Sequence, residues 1–215
     1  MKATPVTWNF VRYRLTDPVS GVDNWRAGAF GLLVAERYYP DLLVWSRERC
    51  RGEHGFFRHH LNVVWSVLKD PAQREPGLVT ERDLEKISHA IPDSRRQGPA
   101  EERAAAAGTI CLHLVRFLQS NDRDDIAHLA AAACASVYRD QHADPFEGQV
   151  AWASSIPFDE VGSYETAVGE APEVQSELRL QDADLAFVET LEGPLENQFD
   201  AVLRRAFGDQ LVPRD

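Results

Sequence analysis

The stretch whose reading decides the fold is Pro99–Gln119, PAEERAAAAGTICLHLVRFLQ. Proline suits the first position of a helix, where its missing N–H has no partner to lose. Glu101 and Glu102 follow in the first turn, where carboxylates favour the positive end of the helix dipole. From Ala104 to Leu118 the segment is apolar on nearly every side, and a helix of that kind lies inside, surrounded by others. The expected fold class is therefore all-α, an irregular multi-helix bundle around this central apolar helix.

Outward from it, the flanking segments carry the one-sided spacing of helices packed on a core. On the C-terminal side Asp122 or Asp124 caps a helix that turns Ile126, Leu129, Ala130, Ala133 and Cys134 inward. On the N-terminal side Thr80, with Asp83 three residues on, forms a capping-box variant. It opens a short helix through Leu84 and Ile87 that stops before Pro92. Phe56 to Lys69 places Phe57, Leu61, Val64, Trp65 and Leu68 on one face, after a break at RGEHG (51–55). Between Val22 and Tyr38 the recurrence of Trp25, Ala29, Leu32 and Leu33 predicts another helix. Tyr39 precedes proline and is pushed out of the helical region. Pro40 is thus expected to make a corner and to start a second helix that runs to about Cys50, with Tyr38, Leu42 and Trp45 in the core. Pro172 opens a long helix through Val174, Leu178, Leu185 and Val188, and Phe199, Val202, Leu203 and Phe207 form the last. Residues 1–21 read as an extended aromatic arm. Residues 22–215 read as a single helical domain with an irregular insertion at 142–171, too long for an ordinary connector.

Three segments bear a family likeness. AERYYP at 35–40, RHHLNVVWSVL at 58–68 and LEKISHAIPDS at 84–94, followed by the alanine-rich central helix, resemble in order and spacing the YjaG-like family, domain-of-unknown-function family 416. The resemblance covers roughly Trp25 to Asp140 and, more loosely, Glu173 to Phe207. It implies an all-helical fold and a small bacterial cytosolic protein, and it carries no activity and no catalytic residues. The aromatic arm and the 142–171 insertion depart from the pattern.

Charge is divided unevenly. Residues 1–107 hold 16 Lys+Arg and 14 Asp+Glu, whereas residues 108–215 hold 7 and 20. The acidic half would repel phosphate, so nucleic acid is not an expected partner; a basic protein or a cation is. No run approaches the ~18 apolar residues of a membrane helix, and no signal-like segment opens the chain. Three cysteines, an odd number without a CxxC pair, suit a reducing compartment. A cytoplasmic protein without membrane association is expected.

Candidate chemistry is sparse. Cys50, His54, His59 and His60 lie close in sequence, but the histidine spacings of five and six, with Gly55 between, do not converge as i,i+4 ligands do; no metal is expected there. Cys111 and His113 are two apart on a helix and face different ways. Glu36 lies near the apolar face, four residues from Leu32 and three from Leu33. A carboxylate there needs a charge partner, with Arg58 or Arg37 at hand. A buried ion pair is the simpler reading and a catalytic acid the sharper one. No GxSxG, phosphate loop or GxGxxG occurs.

The function expected from these features is a non-enzymatic interaction protein, an acidic inhibitor or immunity protein for a basic partner. Trp152, Phe158 and Tyr164 would supply contact area, and Glu170, Glu173, Glu177 and Asp184 would supply charge. Glu170, Glu173 and Glu177 repel one another at i+3 and i+4 spacing, so either arginines of the first half or a partner must cover them. The alternative is a small-molecule enzyme that uses Glu36 with His59 or His113 in an interhelical pocket. No cofactor, no metal and no catalytic residue is assigned, and the oligomeric state is left open.

Overall fold

The computed structural model describes residues 19, 21–49, 53–70, 72, 77–92, 98–141, 169–192 and 198–207. Among them are seven α-helices and no strand: α1 (Asn24–Glu48), α2 (Glu53–Lys69), α3 (Glu81–Ala90), α4 (Pro99–Ser120), α5 (Arg123–Gln141), α6 (Pro172–Glu189) and α7 (Phe199–Phe207). The all-α expectation holds. The helix α4 packs on α1, α2, α3 and α5, and α1 packs on α2, α4, α5, α6 and α7, with α6 also against α5.

Local chemistry explains most of the helix ends. Asp23 caps α1 by accepting from Arg26 N at 2.9 Å. Thr80 and Asp83 close a reciprocal capping box at the start of α3. Pro99 opens α4, and Asn121, in the left-handed region at φ 57°, ends it; asparagine tolerates that conformation better than most residues. Asp122 Oδ1 then accepts from Asp124 N at 3.0 Å, so α5 starts after a two-residue link. Cys50, most of the 1–21 arm and all but the end of the 142–171 insertion lie outside the described residues.

Two expectations are corrected. The first is the corner: α1 is one helix of 25 residues that runs through Pro40. Proline inside a helix removes one ladder bond and costs roughly 3 kcal/mol. Here α1 buries side chains on both sides of it, from Phe30 and Leu33 to Leu42 and Trp45. Burial at about 1.5–3 kcal/mol per large side chain outweighs one lost bond. Pro40 itself is exposed. Secondly, α2 starts at Glu53 and continues through Gly55, so the break placed at 51–55 is shorter than its composition suggests.

The core reads as expected. Tyr38, Leu42 and Trp45 are buried, as are Phe57, Ile110, Leu114, Ile126 and Leu129. The alanines of α4 and α5 let the backbones come close, and α1 joins them through Gly31. A Cβ there would meet Ile126 Cδ1 at 2.9 Å, Leu114 Cδ1 at 3.0 Å and Leu129 Cδ2 at 3.1 Å. No helix among the described residues is long and apolar enough to cross a membrane.

Candidate functional site

Consecutive residues of α1, Glu36 and Arg37, serve two separate polar clusters. Glu36 is 2% exposed. Arg58 of α2 grips it with two N–H groups, Nη1 to Oε2 at 2.8 Å and Nη2 to Oε1, and Trp65 Nε1 donates to Oε1 at 2.6 Å. The same guanidinium lies over the Tyr39 ring, 4.8 Å from its centroid. Burial alone would lower the pKa of Arg58; the hydrogen bonds and charge of Glu36 outweigh it and hold the cation in place. This is the buried ion pair, with Arg58 rather than Arg37 as the partner. Cys111 lies nearby, and burial together with the Glu36 charge pushes its thiol up to about 12. A thiol held so firmly in its protonated form is a poor nucleophile.

Arg37 points the other way. It bonds Glu177 Oε1 at 3.1 Å and Asp184 Oδ2, both on α6, and Arg205 Nε of α7 reaches Asp184 Oδ1 at 2.8 Å. The charges of the two carboxylates overcome the burial penalty on Arg37 and raise its pKa. Gln181, fully buried between them, donates from Nε2 to Glu177 Oε1 at 2.8 Å and to Ala130 O at 3.1 Å. Tyr38 donates to Ala133 O at 3.1 Å. Burial first and the Glu177 charge second keep its phenol protonated far above the usual range. Arg49 and the buried Glu101 make a third pair, between the end of α1 and the start of α4.

These pairs correct the expected partner surface. Glu177 and Asp184 are 4% and 2% exposed and are turned inward onto arginines. An unpaired carboxylate cannot be left inside, and the arginine stems bury well around it. Of the remaining expected residues, Glu170 is exposed and Glu173 half-buried. Trp152, Phe158 and Tyr164 lie outside the described residues.

The histidines of α2 diverge. His54 Nδ1 meets Ser46 Oγ at 3.0 Å. His60 is buried with Nδ1 on Phe56 O at 2.9 Å, and burial lowers its pKa. His59 faces an open groove of about 300 Å3 shared with Asn62, Val63, Ser66, Val67 and Leu78. Neither His59 nor His113 bonds Glu36 among the described residues, since both oxygens of Glu36 are held by Arg58 and Trp65.

A different set does converge. His113 of α4 and Asp125 and His128 of α5 bring potential ligand atoms within 4.8 Å of one another, all partly buried. His113 Nδ1 lies 2.9 Å from Asp125 Oδ1, and their side chains are 14% and 16% exposed. The His113 and His128 rings stack, 5.1 Å between centroids and 14° between planes. His128 Nδ1 bonds Asp124 O at 2.6 Å. The sequence reading considered His113 beside Cys111 and as a companion of Glu36. The signal it passed over is DIAH (125–128), an acid and a histidine at i,i+3 on one face.

Set against known families, residues 15–207 match the family described as "Protein of unknown function (DUF416)". Comparison with curated proteins gives no match. Among solved structures the chain is similar to a DUF416 family protein from Shewanella baltica OS155, with a TM-score of 0.63 and 13% identity over 88% of this chain and 91% of that one. At that identity the likeness speaks for the fold.

Proposed function

The chain belongs to the DUF416 family, whose function is unknown, and from that premise we propose that it is a non-enzymatic binding protein that offers an acidic surface to a basic protein partner. Its sharpest form is an inhibitor that neutralises such a partner, as an immunity protein does for a toxin. The observation that carries this reading is the division of charge, 7 Lys+Arg against 20 Asp+Glu in residues 108–215. Arg37 and Arg205 absorb two of those carboxylates, Glu177 and Asp184. Glu170, Asp182, Glu189, Glu192 and Asp200 remain exposed, with Arg179, Arg204 and Arg205 as the exposed bases around them. Such a surface accelerates encounter with a basic protein and repels an acidic one. Trp152, Phe158 and Tyr164, in the sequence leading into α6, would add aromatic contact area.

Catalysis by Glu36 is the weaker reading, because both of its oxygens are held by Arg58 and Trp65 of α2. The test is charge reversal of exposed residues only. Glu170→Lys, Glu189→Lys and Glu192→Lys together should leave the circular dichroism and melting temperature unchanged. They should slow association with the cognate partner at least tenfold, and wild-type association should weaken as salt rises. A cognate partner that is itself acidic, or whose binding ignores both changes, would refute the proposal.

A further inference from the structure

The one cluster of metal-ligating side chains that converges among the described residues is His113–Asp125–His128. It stands apart from the acidic surface and from the Glu36 and Arg37 pairs. We propose that these three residues form a binding site for a late first-row divalent cation of the zinc and cobalt kind.

Three features carry the assignment. First, the donor set is right: two imidazoles with one carboxylate suit these metals and leave coordination positions for water or a further ligand. Secondly, the placement is stiff. Asp125 and His128 lie one turn apart on α5, and His113 lies two turns before the end of α4. Only Asn121 and Asp122 join the two helices, so the ligands ride on rigid elements rather than on loops. Thirdly, part of the outer support is already in place, although the stacked rings must turn for their nitrogens to meet at one ion. The Nδ1 of His128 is held by the Asp124 carbonyl and that of His113 by the Asp125 carboxylate. An outer partner on Nδ1, as the Asp124 carbonyl is for His128, leaves Nε2 for a metal and raises its basicity; Asp125 is itself a ligand, so its bond to His113 gives way as the ion is taken up. The ligand atoms lie within 4.8 Å of one another; metal–nitrogen bonds of about 2.0–2.1 Å at tetrahedral angles put ligands roughly 3.3 Å apart, a closure of about 1.5 Å that side-chain rotation can supply. Asp122, Asp124 and Asp125 around the start of α5 make the local field attractive to a cation, with Arg123 as the counterweight.

The test uses tag-free, chelator-treated full-length protein titrated with cobalt(II) chloride. One equivalent should bind, with the visible absorption of a low-symmetry cobalt site, and zinc should displace it and raise the melting temperature. His113→Asn and His128→Asn should each abolish the absorption and the thermal shift. Asp125→Asn, nearly isosteric and the safer variant for folding, should weaken cobalt binding by roughly 10–100-fold or more, since it removes the anionic ligand. His59→Asn and His89→Asn, on exposed positions, should change nothing. The proposal is overturned if no stoichiometric cobalt binds, if binding is unchanged by the His113, Asp125 and His128 substitutions, or if it depends on His59 or His89. The first of these results would leave the cluster as an interhelical hydrogen bond only.

Discussion

A single carboxylate shows how this molecule uses charge inside. Glu36 is sealed by Arg58 and Trp65, and such pairs are far more costly to break than to replace. Arg58→Ala is expected to destabilise the protein by about 3–5 kcal/mol in urea denaturation, since it strands a buried anion. The double change Glu36→Leu with Arg58→Met should recover most of that loss. His60 makes a second prediction at this scale. Burial depresses its folded-state pKa, with Phe56 O and Asp83 opposing and His59 and Lys86 adding to the depression. The unfolded chain therefore takes up the proton first. The stability from neutral His60 is complete above about pH 6.5 and is lost as pH falls from there through the folded value. Between pH 7 and pH 5 the wild type should lose more stability than His60→Gln, measured by denaturation at each pH. Glu36 was readable as buried because its neighbours Leu32 and Leu33 mark the apolar face. The Trp65 hydrogen bond was not, because periodicity says which side a tryptophan faces and nothing of where its N–H ends.

Among the elements, α1 departs most from its sequence. Local rules put a corner at Pro40, and they fail because proline's penalty is local while the packing of α1 on α2, α4, α5, α6 and α7 is not. By contrast the Thr80–Asp83 capping box was legible in full, since all its atoms lie within four residues. The close approach of α1 to α4 and α5 at Gly31 is equally opaque to sequence: nothing around GAFGLL announces three side chains from other helices. Gly31→Ala would add a methyl where three carbons stand at 2.9–3.1 Å. It is expected to destabilise by about 1–3 kcal/mol through overpacking, despite alanine's better helix propensity, and thermal unfolding would show it. The same change at exposed Gly55, with nothing within 4 Å, should stabilise α2 by roughly 0.5–1 kcal/mol.

At the scale of the whole molecule the charge division is partly an internal matter. The basic half lends Arg37 to the acidic half, and the pattern of charges in a sequence does not say which acids face inward: Glu177 and Asp184 look no different in sequence from Glu173 and Asp182. Arg37→Met should leave Glu177 without its cation and loosen α6 selectively. Hydrogen exchange in the variant should speed up in α6 well before it does in α4, whereas a uniform increase would mean that the helices unfold as one unit. The reach of this arginine has a further consequence, in time. Its partners lie 140 and 147 residues downstream, and a ribosome adding about 5–20 residues per second needs roughly 7–30 seconds to supply them. In the last part of that interval, once α5 has been made, the nascent chain carries this guanidinium beside a largely complete apolar surface. The last helices to be made are thus received by a cation that has been waiting for them, and any acidic chaperone or neighbouring chain competes for it until they arrive.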